Sequence, residues 1–366
     1  MDTEAWDVNH PVLVLLRQRR KERSVPGKRS DGQKIGLAVE GGGMRGVVSA
    51  SMLAALDDLG FSNTIDAVYA CSSGAINSAY YLAGGTWYPL TIYFDDLSTP
   101  NFVNLRNAFS TKPILNLEYA FNVLKNIKPL DYEYVLQSPI PLHIAITLVD
   151  ELKTITTDSL GSVDELREAL MASSWLPVAT KGTAYYRGQR AVDGGVLIAL
   201  PFRLALQDSC THILSLSTHP MNVRPGRLSL LNRYTKVHLN RLKPSLGDGY
   251  IESLWQKYDD QLSLQQKRFT NTDSKPYIFD LAPLPGTPDV KRHELSTDRL
   301  IQAARSAYQV MYAALEGEPS SSIRNGWIRA VLRFAIAERD HDDNRLIKLV
   351  DYGTRDHVPW GITRTR

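Results

Sequence analysis

Two strand–turn–helix units in direct succession constrain this chain more than any other feature. Ile35–Gly36–Leu37–Ala38–Val39 is a continuous apolar run and predicts a strand buried on both faces. It runs into Glu40 and a glycine cluster, Gly41–Gly42–Gly43–Met44–Arg45–Gly46. Val48, Met52, Ala55, Leu56 and Leu59 then fall at helical spacing, with Gly60 as a stop. Ile65 to Cys71 predicts a second strand, Ser72–Ser73–Gly74 a turn, and Ala75 to Leu82 a helix of small residues. Further strands are expected over Pro141–Val149, up to Ala191–Val192 and over His212–Ser217, with a helix over Val163–Ala172. Strands alternating with helices predict an α/β fold around a largely parallel sheet.

The two turns carry the candidate chemistry. Gly41-x-Gly43-x-x-Gly46 fits the dinucleotide fingerprint, which also needs an acid ending the second strand. Asp66 has the spacing but stands near the start of that strand, out of reach of a ribose. A P-loop is excluded, since no Gly-Lys-Ser/Thr follows. Three successive glycines instead let backbone amides approach an anion, including the oxyanion of acyl transfer. A nucleophile elbow needs small residues two before and two after its serine. Ser72 has Ala70 and Gly74 there; Ser73 has Cys71 and Ala75. Glycine at the helix start favours Ser72, although a serine N-cap would look similar. Asp193 ends a strand beside Gly194 and Gly195, where an ordinary Asp-Gly turn and a base for the serine proton are both readable. Ser72, Asp150 and His219 also occur in the order of an α/β-hydrolase triad, a rival arrangement. His143 and Cys71 lie within apolar strands and read as packed residues.

Four blocks together carry a family resemblance: Gly41–Gly46, Ala70–Cys71–Ser72–Ser73–Gly74–Ala75, Ala172–Ser173–Ser174–Trp175–Leu176–Pro177 and Asp193–Gly194–Gly195–Val196. From Lys34 to Pro220 the chain resembles the patatin-like phospholipases of bacterial type. The resemblance implies a three-layer α/β/α sandwich with extra C-terminal helices, and a phospholipase A-type lipid acyl hydrolase. It implies that Ser72 is acylated, that Asp193 completes a dyad without histidine, and that the Gly41, Gly42 and Gly43 amides form the oxyanion hole. Arg45 falls on the family's arginine, in a structural or anion-stabilising role, with Gly46, Gly74, Gly194 and Gly195 supporting. Two positions depart from the pattern: Ala70 stands where glycine is usual, and Ala199 where asparagine is frequent. No cofactor or metal is implied. Acyl transfer or thioester hydrolysis would use the same dyad. A lipid-binding pseudoenzyme and a dinucleotide-dependent oxidoreductase are the readings from other classes.

Charge then divides the chain. The total is only +3, which argues against a nucleic-acid partner. Yet residues 17–29 hold seven basic residues and one acid, and residues 221–245 hold six basic residues and none. Two strips of +6 within a total of +3 leave the remainder at −9. The expected organisation is a basic, solvated extension over 1–33, a catalytic core over 34–220 and a mostly helical region over 221–366. Helices are expected over Arg299–Leu315 and Ile323–Ala337, and a linker or surface loop over 280–290. The basic strips are candidate contacts for an anionic membrane surface. Two cysteines cannot form a disulfide framework, and no apolar run approaches the ~20 residues of a membrane span. A cytoplasmic protein with peripheral membrane association is the expected setting; the oligomeric state is left open.

Overall fold

The computed structural model describes residues 4–157, 159–221, 229–269, 274–332, 336–339, 346–350 and 360–364. Eight strands form one sheet: β1 (Ile35–Val39), β2 (Ala67–Ala70), β3 (Leu142–Leu148), β4 (Lys153–Thr156), β5 (Ala184–Tyr186), β6 (Gln189–Asp193), β7 (His212–Leu216) and β8 (Tyr277–Leu281). Their order is β5-β6-β3-β2-β1-β7-β8, with β4 paired to β3 off this path. The pairs from β3 through β2, β1 and β7 to β8 are all parallel. β4 and β6 run antiparallel to β3, and β5 antiparallel to β6.

Every residue of β1 is buried, as expected for a strand covered on both faces. Alternation along β1 and β2 divides the core. Leu37, Val39, Val68 and Ala70 face a layer built from α2 (Val47–Asp58) and the Thr297–Glu316 helix. Ala38, Tyr69 and Cys71 face the opposite layer, with Leu204 and Ala205 of the Phe202–Gln207 helix and Leu264 of the Leu246–Lys267 helix. Three layers result, in a mixed α/β fold with a mostly parallel sheet. Alanines 303, 304 and 307 let the Thr297–Glu316 helix lie close to α2, where Ser51 Oγ donates to the Ala304 carbonyl at 2.6 Å. The chain leaves β1 toward one layer and reaches β7 through the other. The carboxyl end of β1 is therefore a crevice where the topology switches, the usual ligand position in such sheets.

Three expectations need correction. The 1–33 segment is not a solvated extension. Helix α1 (Pro11–Lys21) buries Val12, Leu13, Leu15 and Leu16. Arg19 is fully buried, donating to Asp31 at 2.7 Å and to Asp66 at 2.6 Å. Arg20 pairs with Glu316 and Arg29 with Asp66. Three of the seven basic residues of strip 17–29 are thus paired with internal carboxylates. Arg19→Met takes the arginine donor from both carboxylates and from the Thr64 and Gln33 carbonyls. We expect about 3–5 kcal/mol of lost stability in urea denaturation.

Second, Ile323–Ala337 is not one helix. A short helix, Ser321–Arg324, is followed by a strand, Ile328–Leu332, paired antiparallel with Trp360–Arg364. Ile336–Arg339 pairs with Leu346–Val350. Asn325–Gly326 breaks the helix, and the strand partner lies some thirty residues on, beyond any local window. Arg333, Phe334 and Ala335 lie outside the described residues. Third, of the two readings of the proline-rich 280–290 stretch, the linker falls and the surface loop holds: it begins within β8, is exposed at residues 285, 286, 288 and 289, and the segment after it packs on the glycine loop.

Candidate active site

The glycine cluster turns the chain at the carboxyl end of β1. Gly42 and Gly43 take φ of 147° and 60°, conformations that L side chains rarely adopt. Gly43–Gly46 then forms a single 3-10 turn leading into α2. On the next strand, Ser72 sits between β2 and α3 (Ser73–Leu82) with φ 56° and ψ −138°. That is the strained strand-to-helix turn of a nucleophile elbow, and it holds Ser72 rather than Ser73. Ser73 opens α3, and its Oγ accepts the Gly42 N–H at 3.0 Å.

The two turns touch. A Cβ on Gly41 would stand 2.5 Å from the Cys71 carbonyl oxygen and 2.8 Å from Ser72 Cβ. A Cβ on Gly74 would stand 2.5 Å from the Val39 carbonyl oxygen. A side chain on Gly46 would meet Ser73 Oγ and the Tyr93 hydroxyl. Asp193 arrives at the end of β6, and its carboxylate lies beside the Ser72 hydroxyl, which favours the ionised form. Gly195 N–H donates to Asp193 Oδ1 at 2.8 Å. Gly194 is pressed on β3, where a Cβ would lie 2.4 Å from the Ala145 carbonyl oxygen. Burial pushes the Asp193 carboxyl up, against the Gly195 and Ser72 donors and the Arg292 charge, which favour the carboxylate.

The Ala172–Pro177 block braces both residues. Ser173 Oγ accepts the Ser72 N–H at 3.0 Å and donates to the Ala145 carbonyl at 2.7 Å. Asp193 N–H donates to the Trp175 carbonyl at 2.8 Å. One stretch therefore fixes the serine turn, β3 and the aspartate strand together.

A charged layer lies behind the glycine loop. Glu40 is buried and accepts from Lys257 Nζ at 2.5 Å and from Thr218 N at 2.6 Å. Burial alone would raise its pKa, but Lys257, His219 and Arg45 hold it at about 2. Arg45 is also buried; burial and the charge of Arg292 lower it to about 10. Its Nη1 lies 3.1 Å from His219 Nδ1, and that nitrogen is 3.2 Å from Asp289. The segment after β8 closes over the loop: Met44 N–H donates to the Arg292 carbonyl at 3.0 Å. Lys257, Asp289 and Arg292 all come from the region after residue 220, and none carried a sequence signal.

The rival triad does not assemble. Asp150 is exposed and paired with Arg190 at 2.5 Å, while His219 faces Arg45 and Asp289. Asp66 binds Arg19, Arg29 and the Ile35 amide at the opposite ends of the strands, far from a ribose position. His143 stacks on Tyr69 with ring centroids 4.8 Å apart and bonds the Thr157 carbonyl. Cys71 is buried and pushed up to about 12 by that burial, so its thiol stays protonated.

A strained serine turn at the switch point of a parallel sheet, with a buried carboxylate beside it, is the arrangement expected of a serine acyl hydrolase. Residues 37–206 match the sequence pattern described as patatin-like phospholipase. No curated protein sequence matches the chain. The crystal structure of VipD from Legionella pneumophila is similar over 78% of this chain and 67% of that one, at 12% identity and a TM-score of 0.40. That likeness is too slight to inform the fold or the site.

Proposed function

We propose that the protein is a phospholipase A-type hydrolase that cleaves lipid acyl esters through Ser72 and Asp193. The observation that carries this is the strained turn that sets Ser72 beside a buried carboxylate from a different strand. Ser72 Oγ attacks the ester carbonyl as Asp193 takes its proton, forming a tetrahedral intermediate. That intermediate collapses, breaking the acyl C–O bond, and the alcohol leaves with the proton held by Asp193. Water, deprotonated by Asp193, then attacks the acyl-enzyme and releases the fatty acid and free Ser72. The amide best available for the oxyanion is that of Gly43, which has no acceptor among the described residues. Of the other two expected amides, Gly42 N–H is held by Ser73 Oγ, while Gly41 lies beside the Cys71 thiol. The Gly42 amide joins the hole only if Ser73 releases it. Arg45, locked against Gly42 and His219, positions the loop and lends it positive potential.

A fluorophosphonate probe tests the assignment directly. It should add its mass to the Ser72 peptide of the wild type and to no peptide of Asp193→Asn or Ser72→Ala. Labelling of another serine would refute the elbow.

The buried base also sets a pH dependence. Asp193 must be ionised to accept the proton, so activity is lost as pH falls through its raised pKa. The acid limb of kcat/KM on a soluble ester should lie above the ~3.9 of an ordinary aspartate. Arg292 favours the ionised form, so Arg292→Ala should move that limb to higher pH. A limb that stays in place excludes Asp193 as the base.

A further inference from the structure

One surface is unusual for a chain with no membrane-spanning helix among its described residues. In the Leu230–Leu242 helix, Leu230 is 82% exposed, Leu231 63%, Tyr234 56% and Val237 51%. At roughly 100° per residue these four fall within one arc of about 120°. The opposite side, with Thr235 and Leu239, is the buried one. A helix with a packed inner side normally shows water a polar outer side; here the outer side is apolar. Exposed Arg233 lies at one edge of this arc, exposed Arg241 and half-buried His238 lie within it toward the helix end, and from Ser229 to Gly247 there is no acid at all.

The helix has a defined place relative to the site. It packs on the Pro177–Thr180 turn, which continues the block bracing Ser72 and Asp193. It also packs on the Leu246–Lys267 helix, which lies against Gly194–Val196, immediately after Asp193. The helix therefore lies near the elements that hold Ser72 and Asp193.

We propose that the exposed face of the Leu230–Leu242 helix docks on an anionic phospholipid surface, lying in the interface with Leu230, Leu231, Tyr234 and Val237 in the acyl boundary. Arg233 and Arg241 reach the lipid phosphates beside it. An amphipathic helix of this kind binds by buried apolar area together with attraction to anionic headgroups. The choice of a bilayer as occupant rests on the lipid hydrolase reading and on the acid-free, arginine-flanked rim. It relocates membrane contact from the 17–29 strip, three of whose seven basic residues are paired inward, to one side of one helix. Arg224 and Arg227 of the second strip lie outside the described residues.

The test is vesicle co-sedimentation of the full chain, using phosphatidylcholine vesicles with about a third phosphatidylglycerol. Leu231→Glu/Tyr234→Glu should lose about tenfold or more of the wild-type partitioning. Arg233→Glu/Arg241→Glu should bind weakly and abolish the salt sensitivity seen in the wild type. Both variants change exposed side chains, so both should keep wild-type hydrolysis of a soluble p-nitrophenyl ester. Unchanged partitioning of the apolar variant overturns the proposal. So does light scattering that shows a wild-type dimer dissociated by the same substitution, because a second copy would then cover the face. Failure of the hydrolase reading shows separately, as a wild type that binds vesicles but does not cleave the soluble ester.

Discussion

Ser72→Ala should lower acyl-ester hydrolysis by about 10⁴-fold or more while the protein stays folded. The loss is this large because the hydroxyl is the attacking atom, and no neighbouring group can replace it. Cys71 is turned into the opposite layer with its thiol protonated, and Ser73 Oγ is held by the Gly42 amide. Asp193→Asn should cost a similar factor, and Ser72→Ala/Asp193→Asn should be no slower than either single variant, since the pair acts as one unit. Stability should move the other way. Burial raises Asp193 in the folded protein, so the native state holds its proton more tightly than the unfolded chain does. Its favourable contribution is complete below the unfolded pKa and is lost as pH rises through the raised folded value. At neutral pH the ionised carboxylate is therefore a stability cost, and Asp193→Asn should melt at a higher temperature than the wild type. Kinetics on a soluble ester and thermal denaturation at pH 7 check both halves. A variant that is inactive because it is unfolded would fail the second.

Gly41→Ala has the next largest expected effect, and for a purely steric reason. Its added methyl would meet the Cys71 carbonyl oxygen at 2.5 Å, Ser72 Cβ at 2.8 Å and the Gly74 nitrogen at 3.1 Å. Two of these are backbone atoms of the serine turn and cannot swing aside. The two turns must separate, and overpacking of this kind costs about 1–3 kcal/mol or more. Displacing Ser72 by about 1 Å should lower kcat by about 10²-fold or more. Gly85→Ala is the control: the nearest atom to its Cβ would be the Tyr80 carbonyl oxygen at 4.0 Å. It should change stability by no more than about 0.5 kcal/mol and leave kcat unchanged. Equal effects of the two substitutions would mean that contact between the turns does not matter.

The two turns were more legible than the contacts that hold them in place. Strand β1, strand β2 and the two turns combine apolar runs with glycines at fixed offsets, and such signals are local. Ser72 could be preferred over Ser73 from the size of four neighbouring residues. What holds the site together is not local. Ser173 reaches Ser72 across a hundred positions, and Glu40 finds Lys257 more than two hundred residues away. Both are ordinary residues until the sheet brings them together. Charge counting misread residues 17–29, because composition does not distinguish a solvated arginine from Arg19 buried between two aspartates. The spacing of Ile323, Trp327 and Val331 fits a helix, but short apolar runs suit strands equally, and the pairing partner decided. β8 was hidden by the prolines that follow it. On the Leu230–Leu242 helix the basic residues were visible in the sequence, but the side left uncovered was not.

The most direct measurement is lipid mass spectrometry of total membrane lipid incubated with the wild type and with Ser72→Ala. The wild type should release free fatty acid together with an equimolar lysolipid, and Ser72→Ala should release neither. Fatty acid released equally by both proteins, or by neither, would contradict hydrolysis through Ser72.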